Sequence, residues 1–95
     1  MHILRVEHPV ADFAVWKRAF DSDPARRQDS GVRRYRISRA VDDPRQVTVD
    51  LEFDSRAAAE AFLATLRTVW GRVAGTLVDS PNGRILEAVE VKEYS

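Results

Sequence analysis

Arginines, carboxylates and one tryptophan are the side chains of this sequence best placed to do chemistry. Arg5 and Glu7 sit in one alternating run, Arg34 and Arg36 in a second, and Asp50 and Glu52 in a third, while Trp70 lies on an amphipathic stretch. An arginine guanidinium can fork onto a carboxylate or an enolate. A carboxyl group buried away from water has its pKa raised, into the range where it can take a proton. The same residues could equally neutralise one another, because charge clusters mark functional sites only as a matter of frequency. Trp70 could stack on a planar substrate, or it could be a core aromatic burying about 150 to 250 Å²; Trp16 reads as core. His8 ends the first run and His2 begins it. No carboxylate or nucleophile stands at a telling distance from either, so both read as surface histidines, and neither has metal-ligand spacing.

These residues are positioned by alternating and amphipathic segments. In QVTVDLEF, Val47, Val49, Leu51 and Phe53 alternate with Gln46, Thr48, Asp50 and Glu52, the pattern of a strand with one buried face. Asp54 and Ser55 supply capping oxygens. Ala59, Phe62, Leu63, Leu66, Val69, Trp70 and Val73 then recur at helical spacing. Upstream, His2 to His8 predicts a first strand ended by Pro9, with Leu4 and Val6 on one face. Asp12 caps a helix carrying Phe13, Trp16 and Phe20. Pro24 opens a short helical extension over Ala25 to Asp29, and Gly31 turns the chain.

Val32 to Ala40 predicts an arginine-rich edge strand, joined to the third strand by a turn over DDPRQ at 42–46. Gly71 and Gly75 loosen the end of the second helix, SPNG at 80–83 predicts a turn, and Arg84 to Lys92 a fourth strand. The order strand, helix, strand, strand, helix, strand is the ferredoxin-like βαββαβ arrangement of an α+β fold: a four-stranded antiparallel sheet, two helices on one face, strands one and three central. Residues 1–95 read as a single domain.

In that arrangement Leu4, Val6, Tyr35, Ile37, Val47, Val49, Leu51, Val89 and Val91 face the helices. Ile3, Arg5, Glu7, Arg34, Arg36, Thr48, Asp50, Glu52, Leu86, Ala88 and Glu90 face away. That second set is either a solvated face laced with weak ion pairs or the wall of a cavity closed by a second copy. It argues against RNA recognition on a sheet, which stacks bases on central aromatic residues; here those positions carry charges, carboxylates among them. Lys plus Arg and Asp plus Glu each number 15, so no bulk charge recruits nucleic acid or anionic lipid. There is no cysteine, which removes thiolate chemistry and Cys-rich metal sites. HPVAD lacks the glycines of an anion-cradling loop. No stretch reads as a signal peptide or a membrane span, and the expectation is a soluble, cytoplasmic protein.

The run VEHPVADFAVWKRAFDSD, continuing through GVRRYRISRAVDDPRQVTVDLEFDS to AAAEAFL, resembles the dimeric α+β barrel superfamily of antibiotic-biosynthesis-monooxygenase-like proteins. The resemblance extends to about residue 66, and its most distinctive pieces are V-A-D-F-x-x-W-K and D-D-P with the following strand and E-F-D. It implies a homodimer whose two sheets face each other around a central cavity, some relatives swapping a C-terminal strand. It also implies a small-molecule ligand and no cofactor: several relatives oxidise aromatic or quinol substrates without metal or flavin, others isomerise small molecules, and a subset degrades haem. The haem-degrading pattern needs a histidine around the second helix and an asparagine on the first strand. Residues 57–77 contain no histidine and the first strand no asparagine. The expectation is therefore a cofactor-independent monooxygenase or isomerase with Arg5, Glu7, Arg34, Arg36, Asp50, Glu52 and Trp70 lining its cavity. The alternative is a non-catalytic dimerising or ligand-binding module.

Overall fold

The computed structural model describes residues 1–73 and 81–95. Its centre is the pair formed by β1 (His2–Pro9) and β3 (Asp43–Phe53), antiparallel with Leu4 opposite Leu51 and Val6 opposite Val49. Alternation sends Leu4 and Val6 of β1, and Val47, Val49, Leu51 and Phe53 of β3, to one buried face. Flanking strands β2 (Val32–Ala40) and β4 (Asn82–Glu87) complete an antiparallel sheet of order β2-β3-β1-β4.

The helices α1 (Phe13–Asp21) and α2 (Arg56–Val73) cover the apolar face of that sheet. Each starts where the sequence offers a capping oxygen. Asp12 accepts from the Val15 N–H at 3.2 Å, and Ser55 Oγ from the Ala58 N–H at 3.1 Å. Trp16 of α1 and Ala59, Phe62 and Leu63 of α2 join the strand residues in one core, where Phe53 meets Phe62 with ring centroids 5.6 Å apart. Full burial of a side chain such as Phe53 contributes about 1.5–3 kcal/mol.

Several expectations are corrected at the element ends. Residues 24–31 form successive turns instead of a helical extension, because Asp23 and Arg26 adopt positive φ of 56° and 50°. Arg27 holds this connection in place: its N–H donates to Asp23 Oδ1 at 2.9 Å and its Nη1 to the Phe20 carbonyl at 2.8 Å. The β2–β3 connection is Val41–Asp42, not 42–46, and Pro44 lies within β3. A register shift follows there, Val47 pairing with Arg39 and Asp43 with Ala40, so the bulge absorbs a residue that cannot donate to the ladder.

Gly71 lies inside α2, and Gly75 and Ser80 are outside the described residues. Asn82 and Gly83 belong to β4, not to a turn. A Cβ on Gly83 would come within 2.6 Å of Leu63 Cδ1 and 3.3 Å of Trp70 Cη2, so glycine here lets α2 lie close on the strand. The fourth strand also ends at Glu87 instead of Lys92, because Glu87 already pairs with His2, where β1 begins. Val89 and Val91, expected to face the helices, are 88% and 80% exposed, and Ala88 and Glu90 likewise lie beyond the strand.

Candidate functional site

The two sheet faces hold different candidate residues. On the face turned away from the helices, the register sets side chains in rows across all four strands. One row reads Arg36, Asp50, Arg5, Arg84; the next reads Arg34, Glu52, Ile3, Leu86. Arg5 holds Asp50 with two hydrogen bonds, Nε to Oδ1 at 2.8 Å and Nη2 to Oδ2 at 3.0 Å. Arg34 Nε donates to Glu52 Oε2 at 2.7 Å. The hydrogen bond and the charge of Asp50 raise the Arg5 pKa above its ordinary value, with Glu7 adding a smaller effect of the same sign. Arg5, Glu7, Arg34, Arg36, Asp50 and Glu52 are therefore brought onto one surface, and within it Asp50 and Glu52 are each engaged by an arginine.

Trp70 is not with them. It lies on the helix side, where α2 and the connection after α1 stand off from the sheet and leave a cavity of about 350 Å³. Its floor is Val6, Val49 and Leu51 of the central strands, and its aromatic walls are Trp16, Phe20, Phe62 and Trp70. Trp16 and Phe20 pack with centroids 5.2 Å apart, and Tyr35 meets the edge of Phe20 at 5.1 Å. The sheet thus separates the charged candidates from the aromatic one, and the cavity that Trp70 lines holds none of the six charged candidates.

The same cavity contains a residue that sequence reasoning assigned to the surface. His8 is only 2% exposed, packs against Trp16 at a centroid distance of 5.4 Å, and lines the cavity. Burial lowers its pKa below the ordinary 6.5, partly offset by the Pro9 backbone, so the ring is held neutral. Its Nδ1 is buried and has no hydrogen-bond partner among the described residues. The signal was present in the alternation: His8 is two residues beyond Val6 and four beyond Leu4, hence on their face. As for other chemistry, no three His, Asp or Glu side chains cluster as a metal site among the described residues.

This sheet order with its helices on one side is a ferredoxin-like α+β fold, and it is the fold of the antibiotic-biosynthesis-monooxygenase-like proteins. The cofactor-independent oxygenase SnoaB of Streptomyces nogalater, in a variant form, matches with a TM-score of 0.74 at 14% identity, over 95% of this chain and 94% of its own. An antibiotic biosynthesis monooxygenase matches with a TM-score of 0.68 at 15% identity, over 95% of this chain and all of its own. A dimeric ferredoxin-like protein from an uncultured marine organism matches with a TM-score of 0.66 at 10% identity, over 99% and 100%. No protein-family model matches the sequence, and no curated protein does. No helix among the described residues is long and apolar enough to cross a membrane.

Proposed function

We propose that the protein is a cofactor-independent monooxygenase that binds a small planar aromatic substrate between sheet and helices and works as a homodimer. The observation that carries this reading is the cavity of about 350 Å³ walled by Trp16, Phe20, Phe62 and Trp70. Its size and apolar lining are those of a small-molecule site, and aromatic walls favour a flat ring system. The fold shared with SnoaB supports the reaction class. Without a cofactor the substrate must supply the electrons: an activated ring CH₂ becomes C=O, one oxygen atom of O₂ entering the carbonyl and the other leaving as water with both hydrogens.

The dimer reading is supported by the dimeric ferredoxin-like neighbour. It would cover the arginine and carboxylate rows and offer the exposed Val89, Val91 and Tyr94 a surface to pack on. The test uses anthrone, a planar tricyclic methylene ketone, in an oxygen electrode. Stoichiometric oxygen uptake with formation of the quinone is expected, while Trp70→Ala should weaken retention of naphthalene in equilibrium dialysis about tenfold through loss of stacking. Binding without uptake would instead favour a ligand-binding module.

A further inference from the structure

We infer that His8 is the polar anchor of the cavity, hydrogen-bonding a hydroxyl group of the planar ligand, so that the site selects hydroxyl-bearing aromatics over the bare hydrocarbons its walls would otherwise accept. This deepens the cavity reading and rests on it.

Among the described residues lining the cavity, the side chains able to hydrogen-bond are His8, Trp16, Ser22, Arg27, Trp70 and Arg72. Ser22 Oγ donates to the Ala19 carbonyl at 2.6 Å. Arg27 is committed to the Phe20 carbonyl and lies 3.9 Å above the Phe20 ring. Arg72 is exposed in the last turn of α2. The indoles carry a single N–H each and no lone pair to receive a hydroxyl proton. His8 alone is buried among apolar groups with an unpartnered ring nitrogen.

A buried polar atom without a partner costs about 1–3 kcal/mol, and native interiors leave few of them. The unpartnered ring nitrogen carries either an N–H or a lone pair, according to the tautomer, and a hydroxyl, which can both donate and accept, can meet either. The converse sets the selectivity. A hydroxyl entering an apolar cavity with no partner is penalised, so without the histidine a hydrocarbon should be preferred.

The experiment compares 2-naphthol with naphthalene by equilibrium dialysis at pH 7.5, for the wild-type protein, His8→Phe and His8→Gln. Wild type should retain 2-naphthol roughly tenfold more tightly than naphthalene. His8→Phe should lose or reverse that preference while still binding naphthalene, and His8→Gln, which keeps a hydrogen-bonding group, should recover part of it. In wild-type protein the ¹⁵N resonances of the His8 ring should move on addition of 2-naphthol and stay in place with naphthalene; this decides the matter if His8→Phe does not fold. Equal affinities in wild type, as when a water already satisfies the ring, would overturn the inference, and so would a preference that survives in His8→Phe. Failure of both naphthalene and 2-naphthol to bind would overturn the cavity reading and the inference with it, whereas equal binding of the two overturns the inference alone.

Discussion

The two faces of the sheet are built from alternate residues of the same strands, yet they present opposite chemistry. Beneath the helices, Leu4, Val6, Val49 and Leu51 form the apolar floor of the sheet, and the polar side chain they share it with is a neutral histidine. On the other side, Arg5, Asp50, Arg34 and Glu52 form direct ion pairs in rows, with Ile3 opposite Leu86 as an apolar patch. Desolvation explains the division. A half-enclosed apolar cavity gains by admitting a flat apolar molecule, whereas a row of paired charges gains from a flat polar surface that completes the pairing. The row Arg36, Asp50, Arg5, Arg84 carries more positive than negative charge.

Truncating neighbours on opposite faces should give the largest difference between them. Leu4→Ala, at a position with no exposed surface, should cost about 2–5 kcal/mol in urea unfolding, because it leaves a void in the core where β1 packs against α2. Ile3→Ala, one residue away, should cost well under half as much. Similar losses at both positions would mean that the outer face is packed as tightly as the core.

Next in size is Asp50→Ala. The Arg5–Asp50 pair is partly exposed, so the isolated chain should lose no more than about 1 kcal/mol. In a dimer the arginines of that row would lose their carboxylate inside an interface. Self-association should then weaken by at least about 2 kcal/mol, roughly thirtyfold in Kd by sedimentation velocity. A wild-type protein that sediments as a 10.8 kDa monomer at micromolar concentration would remove the interface altogether.

The same contrast explains what could be read from the sequence. Strict alternation over 46–53, and the helical spacing of Phe62, Leu63, Leu66 and Trp70, made the sheet order and the helix-covered face legible, because burying one face imposes a period. Where an element's extent depends on its partner, the period says nothing. β4 stops at Glu87 because β1 begins opposite it, although the alternation of Val89 and Val91 continues past that point. Pro44 signalled a turn, yet a bulge accommodates it within β3.

The faces on which the candidate residues lie were half legible for a different reason. Alternation places the charged residues on one face, whereas only chemical character links Trp70 to them, and a helix residue facing the sheet cannot reach the sheet's far side. For His8 the residue type suggests the surface, while its position in the alternation points inward, and position prevails.

The buried histidine contributes a smaller, pH-dependent difference between the faces. His8 has a folded-state pKa below the 6.5 of the unfolded chain. Between those two values the unfolded state binds more protons than the folded one, so stability rises with pH. The contribution is whole above about pH 6.5 and is lost as pH falls toward the folded value, at a slope of at most about 1.4 kcal/mol per pH unit. The other charged side chains lining the cavity are Arg27 and Arg72. Carboxylates elsewhere also titrate on the acid side, so the decisive quantity is a difference. Urea unfolding of wild type and His8→Gln at pH 7.5 and pH 5.5 should show the wild type losing more stability between the two, whereas equal losses would mean that the ring takes a proton in the folded state as readily as in the unfolded chain.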